Sequence, residues 1–122
     1  MNDNNAFGKL VKSFGYAIEG LNYAFISQRN FRIQVSIGVF GLIFAYVLGF
    51  NRIEYLILLI CICLVLAGEL INTVFESFMD FKTEEFHPKA KIAKDLSASF
   101  VLLISIFAVL IGVFLFGPHI LK

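Results

Sequence analysis

Hydrophobic positions fall into four blocks along the chain, and the first differs from the other three. In that first block Phe7, Leu10, Phe14, Ala17, Ile18, Leu21, Ala24 and Phe25 recur at three- and four-residue steps, which marks one apolar face of a helix. Lys9, Lys12, Glu19 and Asn22 interrupt that surface, so the pattern predicts a helix over 6–28 that is too polar to span a bilayer. It fits an amphipathic helix lying at a membrane surface, with Tyr16 and Tyr23 at interfacial depth.

Arg29-Asn30-Phe31-Arg32 is expected to be a basic break, and three long apolar blocks follow it. They predict spans over about 33–50, 55–79 and 96–116. The turn Asn51-Arg52-Ile53-Glu54 is so short that the second span must run antiparallel to the first. Gly38 and Gly41 are expected to admit a neighbouring helix closely. Phe81 to about Ala90 is a polar connection in which Pro88 can start the last helix. Gly117-Pro118 is expected to end that helix.

The expected architecture is therefore an all-α membrane protein of one domain, 1–122, with a surface helix and three transmembrane helices. Composition agrees: 59% of residues are hydrophobic, 15 are Phe and none is Trp, and mean hydropathy is +0.85. That is too apolar for a soluble domain of this length. A net charge of +1 without a basic patch argues against a nucleic-acid partner. The start Met1-Asn2-Asp3-Asn4-Asn5 lacks a basic n-region, so no cleaved signal peptide is expected. Cys61 and Cys63 project about 200° apart on a helix and are expected to be unpaired. Lys9, Lys12, Arg29 and Arg32 precede the first span, and Lys82, Lys89, Lys91 and Lys94 lie between the second and third. Only Arg52 and Lys122 lie at the other ends. This imbalance predicts a cytoplasmic N-terminus and second loop, with the C-terminus outside.

One stretch breaks the apolar logic. Ending the second span at Gly68 would leave only about 14 apolar residues against the ~20 that a bilayer needs. The helix must continue into Glu69, Asn72, Glu76 and Asp80, which fall within about 80° of one another, with Thr73 beside them. An ionisable group at membrane depth costs roughly 2.5–3.5 kcal/mol, so a carboxylate stripe there demands a reason. Three are open on the residues alone: an active-site face, a polar seam between helices, or a proton or ion path.

The chemistry that suits the stripe best is phosphoryl transfer from Mg-ATP to a lipid hydroxyl. Mg²⁺ is usually held by one or two carboxylates and the substrate phosphates, which suits Glu76 near the aqueous edge. A base is needed at the depth of the acceptor hydroxyl, which suits Glu69, and Asn72 one turn along can orient it. Lys91, Lys94 and Asp95 start the third span and should return close to the Glu76–Asp80 end, where lysines neutralise phosphate. No Gly-x-x-x-x-Gly-Lys-Ser/Thr loop and no protein-kinase signature is present.

The block Glu69-Leu70-Ile71-Asn72-Thr73-x-x-Glu76-x-x-x-Asp80, with His87-Pro88 and Ala93-Lys94-Asp95, closely resembles the prokaryotic diacylglycerol kinase family, which includes undecaprenol kinases. Upstream, Ser13-Phe14-Gly15-Tyr16-Ala17-x-Glu19-Gly20-Leu21 and Asn30-Phe31-Arg32-Ile33 also match, so the resemblance covers nearly the whole chain. It implies a homotrimeric, multi-pass kinase of the inner (cytoplasmic) membrane, with active sites shared between subunits. Carried over by position, it implies Glu69 as general base and Asn72 as a site residue. Glu76 is implied as a ligand of Mg²⁺ and ATP, and Asp80, Glu85, Phe86, His87, Lys94 and Asp95 as nucleotide contacts. Lys9 and Tyr16 fall where the surface helix meets nucleotide and lipid. Two positions depart from the pattern: Gln28 stands where some members use a glutamate for metal, and Gln34 replaces an acidic residue. An amide oxygen still coordinates a hard cation, without charge, so Gln28 remains a candidate ligand. Thr83-Glu84-Glu85-Phe86-His87-Pro88 is closer to the undecaprenol kinase branch. The alternatives are a family member with impaired catalysis, or a non-catalytic proton or ion pathway on the same stripe. His119 is expected to have no chemical role.

Overall fold

A computed structural model of the chain describes residues 5–82 and 85–122. Met1–Asn4, on which the signal-peptide expectation largely falls, and Thr83 and Glu84 of the second loop lie outside the described residues. Four helices follow in order: α1 (Ala6–Ser27), α2 (Arg29–Leu48), α3 (Arg52–Lys82) and α4 (Pro88–Ile120). The last three are each long and apolar enough to cross a membrane.

The expected basic break between α1 and α2 shrinks to a single residue. Gln28 alone is extended (φ −108°, ψ 106°), its N–H donating to Ala24 O and its carbonyl accepting from Arg32 N–H. Arg29–Arg32 is instead the first turn of α2. The reason is Arg32, whose Nη1 donates to the carbonyls of Phe25 (2.9 Å) and Ile26 (2.6 Å). These are orphan acceptors at the end of α1, so the cation caps one helix from inside the next.

The α2–α3 turn is built from three local devices. Gly49 takes the left-handed conformation (φ 79°) that a helix C-terminus favours, and Phe50 N–H then reaches back to Ala45 O at 3.1 Å. Asn51 caps α3 by accepting from Glu54 N–H (2.9 Å), while Glu54 Oε1 accepts from Asn51 N–H (3.1 Å). This reciprocal box satisfies two donors at the helix start. Pro88 opens α4 behind His87, whose Nδ1 accepts from Lys89 N–H. The expected stop at Gly117-Pro118 is not obeyed, because α4 runs on to Ile120. A proline this close to a helix end removes a donor from the final turn only, where little ladder remains to lose.

Packing is densest around α3. Ala45, Phe50, Leu58 and Leu115 form a buried cluster at the turn end, with the Phe50 ring 4.8 Å from Phe116 and 4.9 Å from His119. Gly38 lets α2 approach α3 so closely that a Cβ there would lie 3.0 Å from Ile62 Cγ2. Gly41, expected to do the same, faces nothing within 4 Å, whereas Gly68 admits Phe100 and Ile104 of α4. Cys61 and Cys63 are both free thiols. Helix α1 buries only Ala24, leaving Phe7, Phe14 and Ile18 of its apolar face exposed.

Candidate active site

The polar stripe of α3 begins in the packed interior. Glu69 (4% exposed), Asn72 (7%) and Thr73 (8%) are the buried polar residues among those described. Gly68 brings α4 against this turn, which is why residues 69–73 lose solvent despite their polarity. Thr73 Oγ1 satisfies itself on Glu69 O at 2.9 Å, a bond along its own helix. Asn72 Nδ2 donates to Glu76 Oε1 at 3.2 Å, tying two stripe residues together. Asn72 Oδ1 is buried and has no partner among the described residues. A buried carbonyl oxygen left unmatched costs about 1–3 kcal/mol, so the site holds an acceptor waiting for a donor or a cation.

The stripe then emerges into a polar concavity. Asp80, Glu85, Phe86, His87 and Lys94 line one cavity of about 330 Å³, together with Lys91. The α3–α4 connection brings them there, with Lys94 Nζ donating to Asp80 Oδ1 across fourteen residues of sequence. Asp95 is not in the lining itself but pairs with the lining residue Lys91 at 2.6 Å, a mostly exposed contact of little energetic weight. Two lysines, a histidine and an aromatic ring around one hollow suit a polyphosphate carrying a planar base.

Other candidates are not joined to this cluster. Lys9 and Tyr16 lie exposed on α1, and neither bonds to α3 or α4 among the described residues. Gln28 is absorbed into the α1–α2 joint, and no contact links its side chain to Glu76 among the described residues. Nor do the described residues contain a cluster of three acidic, histidine or cysteine side chains able to cage a metal. What α1 does share with α3 is an open groove of about 820 Å³, lined by Ala17, Gly20 and Tyr23 on one side and Leu70, Thr73 and Ser77 on the other.

Two residues acquire neighbours that sequence reasoning did not assign. Gln34 of α2 comes near Glu69, with its own Oε1 buried and without a partner among the described residues. His119 Nε2 lies 2.6 Å from Glu54 Oε2, at the opposite end of α3. The first was signalled by a polar residue inside an apolar span. The second had no local signal, because its partner is 65 residues away.

Residues 15–116 match the family described as prokaryotic diacylglycerol kinase. A Synechocystis protein named diacylglycerol kinase is 43% identical over 114 residues, covering 93% of this chain and 65% of the relative. The chain thus spans just under two thirds of that relative's length. A Bacillus subtilis protein named undecaprenol kinase is 31% identical, with 93% of each chain covered. An Escherichia coli protein named diacylglycerol kinase is 28% identical, with 97% of each covered.

Proposed function

The chain belongs to the prokaryotic diacylglycerol kinase family, and from that premise we propose that it transfers the γ-phosphoryl group of ATP to the free hydroxyl of a membrane lipid alcohol. The acceptor class is diacylglycerol or undecaprenol, the two named by its relatives. The observation that carries the reading is the continuity of the α3 stripe. Its buried end holds a carboxylate at Glu69, and its open end joins the cavity of Asp80, Glu85, Phe86, His87 and Lys94.

In this mechanism Glu69 accepts the proton of the lipid hydroxyl as that oxygen forms its bond to the γ-phosphorus, and ADP leaves. Glu69 and Glu76 are separated by about 10 Å along the helix, room for two side chains to reach a phosphoryl group between them. Lys94 neutralises phosphate charge, with Asp80 holding its ammonium at the cavity edge. Phe86 and His87 offer a face and a polar edge to the base, and Glu85 and Asp95 complete the polar rim. Lys9 and Tyr16 approach nucleotide and lipid from α1.

The donor set fits Mg²⁺ in part. Glu76 supplies a carboxylate and Asn72 Oδ1 an unmatched buried oxygen, hard ligands of the type that ion takes. Gln28 is proposed as a neutral third ligand. When bound, the ion would offset charge on the β- and γ-phosphates. We also propose a homotrimer sharing sites between subunits, in the inner membrane, with the N-terminus and the α3–α4 loop in the cytoplasm.

The test is transfer from labelled ATP by purified protein in mixed micelles, with diacylglycerol and undecaprenol offered separately. Transfer to one of them that Glu69→Ala abolishes supports the reading. No transfer to either, with the protein folded, overturns it in favour of an impaired family member. Nucleotide-independent proton flux in liposomes would instead establish the pathway alternative.

A further inference from the structure

Two lysines stand in the polar cavity at the α3–α4 connection, and each is held by its own carboxylate. Lys94 Nζ donates to Asp80 Oδ1, which joins α4 to α3. Lys91 Nζ donates to Asp95 Oδ2 at 2.6 Å, a pair four residues apart on α4 alone. Asp80, Lys91 and Lys94 line the cavity together with Glu85, whereas Asp95 does not line it. The link of Asp95 to the cavity therefore runs through Lys91. Charge balance gives that lysine weight. Without it the lining would set the carboxylates of Asp80 and Glu85 against one ammonium, and the hollow would repel a polyphosphate.

The pair is built to aim a donor rather than to hold it. An ammonium has three N–H donors, so the bond to Asp95 leaves two for another acceptor. An exposed pair of this spacing binds its members weakly, while a phosphate oxygen makes a stronger charge-assisted bond. Asp95 thus restricts where Lys91 points without competing for its charge. The start of α4 favours the same ligand. Acidic residues suit the positive end of a helix, yet in Pro88-Lys89-Ala90-Lys91-Ile92-Ala93-Lys94-Asp95 three lysines precede the first acid. An anion against Lys91 and Lys94 offsets that repulsion. Lys89, just as near the helix start, lies outside the lining.

We propose that Lys91 is a second phosphate-contacting lysine of the nucleotide cavity, beside Lys94, and that Asp95 is its positioning residue, acting on the nucleotide only through Lys91. The inference rests on the lipid kinase reading.

The first test is kinetic, on purified protein in mixed micelles. Lys91→Met is expected to raise KM for ATP about tenfold, with kcat and KM for lipid within about twofold of wild type, and Lys91→Arg to restore most of the loss. Asp95→Asn is expected to raise KM for ATP about threefold in the wild type and to leave it unchanged in Lys91→Met, since its effect passes through that lysine. The second test needs no turnover. Acetic anhydride labelling of wild type, read by peptide mass spectrometry, is expected to fall roughly threefold or more at Lys91 and Lys94 when ATP is present, and to stay unchanged at Lys89. A folded Lys91→Met protein with wild-type KM for ATP overturns the proposal. So does equal labelling of Lys91 with and without ATP, or an Asp95→Asn effect of the same size in both backgrounds. Failure of Lys91→Met to fold also overturns it, by making Lys91 a structural residue. A wild type that transfers no phosphate while ATP still shields Lys91 would sink the kinase reading and keep Lys91 as a polyphosphate contact.

Discussion

The two ends of α3 treat their carboxylates differently. At the turn end, Asn51 and Glu54 satisfy each other's backbone N–H groups, and the second Glu54 oxygen meets His119 Nε2. His119 in turn stacks on Phe50, which is packed against Phe116 and Tyr55. These contacts tie the α2–α3 turn to the end of α4, although His119 Nδ1 stays buried without a partner among the described residues. At the other end, Asn72 and Gln34 each present a buried oxygen with no partner among the described residues, beside a carboxylate that α4 helps to bury. The turn end pairs its carboxylate across two helices, whereas the stripe leaves two amide oxygens open beside Glu69. The contrast sits on one continuous helix, so it does not arise from a difference in scaffold.

The sharpest way to break the contrast is to exchange the outcomes of substitution at the two ends. Glu69→Ala is expected to cut phosphoryl transfer by about 10³-fold or more with melting unchanged, since removal of a general base together with its positioning sacrifices several orders of rate. Retained activity would place the base elsewhere. Next in size, Lys94→Met should raise KM for ATP roughly 10- to 100-fold, the loss of one charge-assisted phosphate contact of about 1.5–3 kcal/mol. Equal effects on KM for lipid would show that Lys94 acts on packing instead.

At the turn end the expected effect is on stability. His119→Ala should destabilise the protein by about 1–3 kcal/mol through the lost ring contact and hydrogen bond, leaving kcat within twofold. The smallest effect concerns pH. Glu54 lies in the turn ahead of the apolar run, and the Asn51 backbone N–H, then His119, hold its carboxyl below its ordinary value of 4.5. A carboxyl lowered by folding lends stability that is fully present above its unfolded value and fades as pH falls through the folded one. Melting temperature in acid should therefore fall more steeply for wild type than for Glu54→Gln. Parallel curves would remove Glu54 from the account.

The helical architecture was legible because apolar period and length report it directly, and the α3 stripe was legible because charge inside a span is conspicuous. The cavity residues Asp80, Glu85, Phe86, His87 and Lys94 were brought together by the α3–α4 connection, much as an antiparallel hairpin dictates. What the sequence hid is of two kinds. Local caps can replace a break, as Arg32 does when its basic turn becomes part of α2. Pairings between distant segments, such as His119 with Glu54, leave no periodic trace. Glycines were ambiguous for the same reason: Gly38 and Gly41 look alike in sequence, but only Gly38 meets a facing side chain. The places of Lys9, Tyr16 and Gln28 in a site depend on where α1 lies relative to other surfaces, which hydrophobic period does not encode.

The length of α3 has its own consequence. Its 31 residues make a rod of about 46 Å, longer than the ~30 Å hydrocarbon layer, with Glu54 and Glu69 about 22 Å apart along it. Such a rod acts as a depth gauge, since no flexible joint lies between its turn end and the Glu69 carboxylate. The height of Glu69 is then set by helical rise, while in the proposed reaction the height of a lipid hydroxyl is set by the bilayer. Acyl-chain length becomes a variable of the proposed reaction: a membrane thinned or thickened by a few ångströms offsets the carboxylate and the hydroxyl by the same amount.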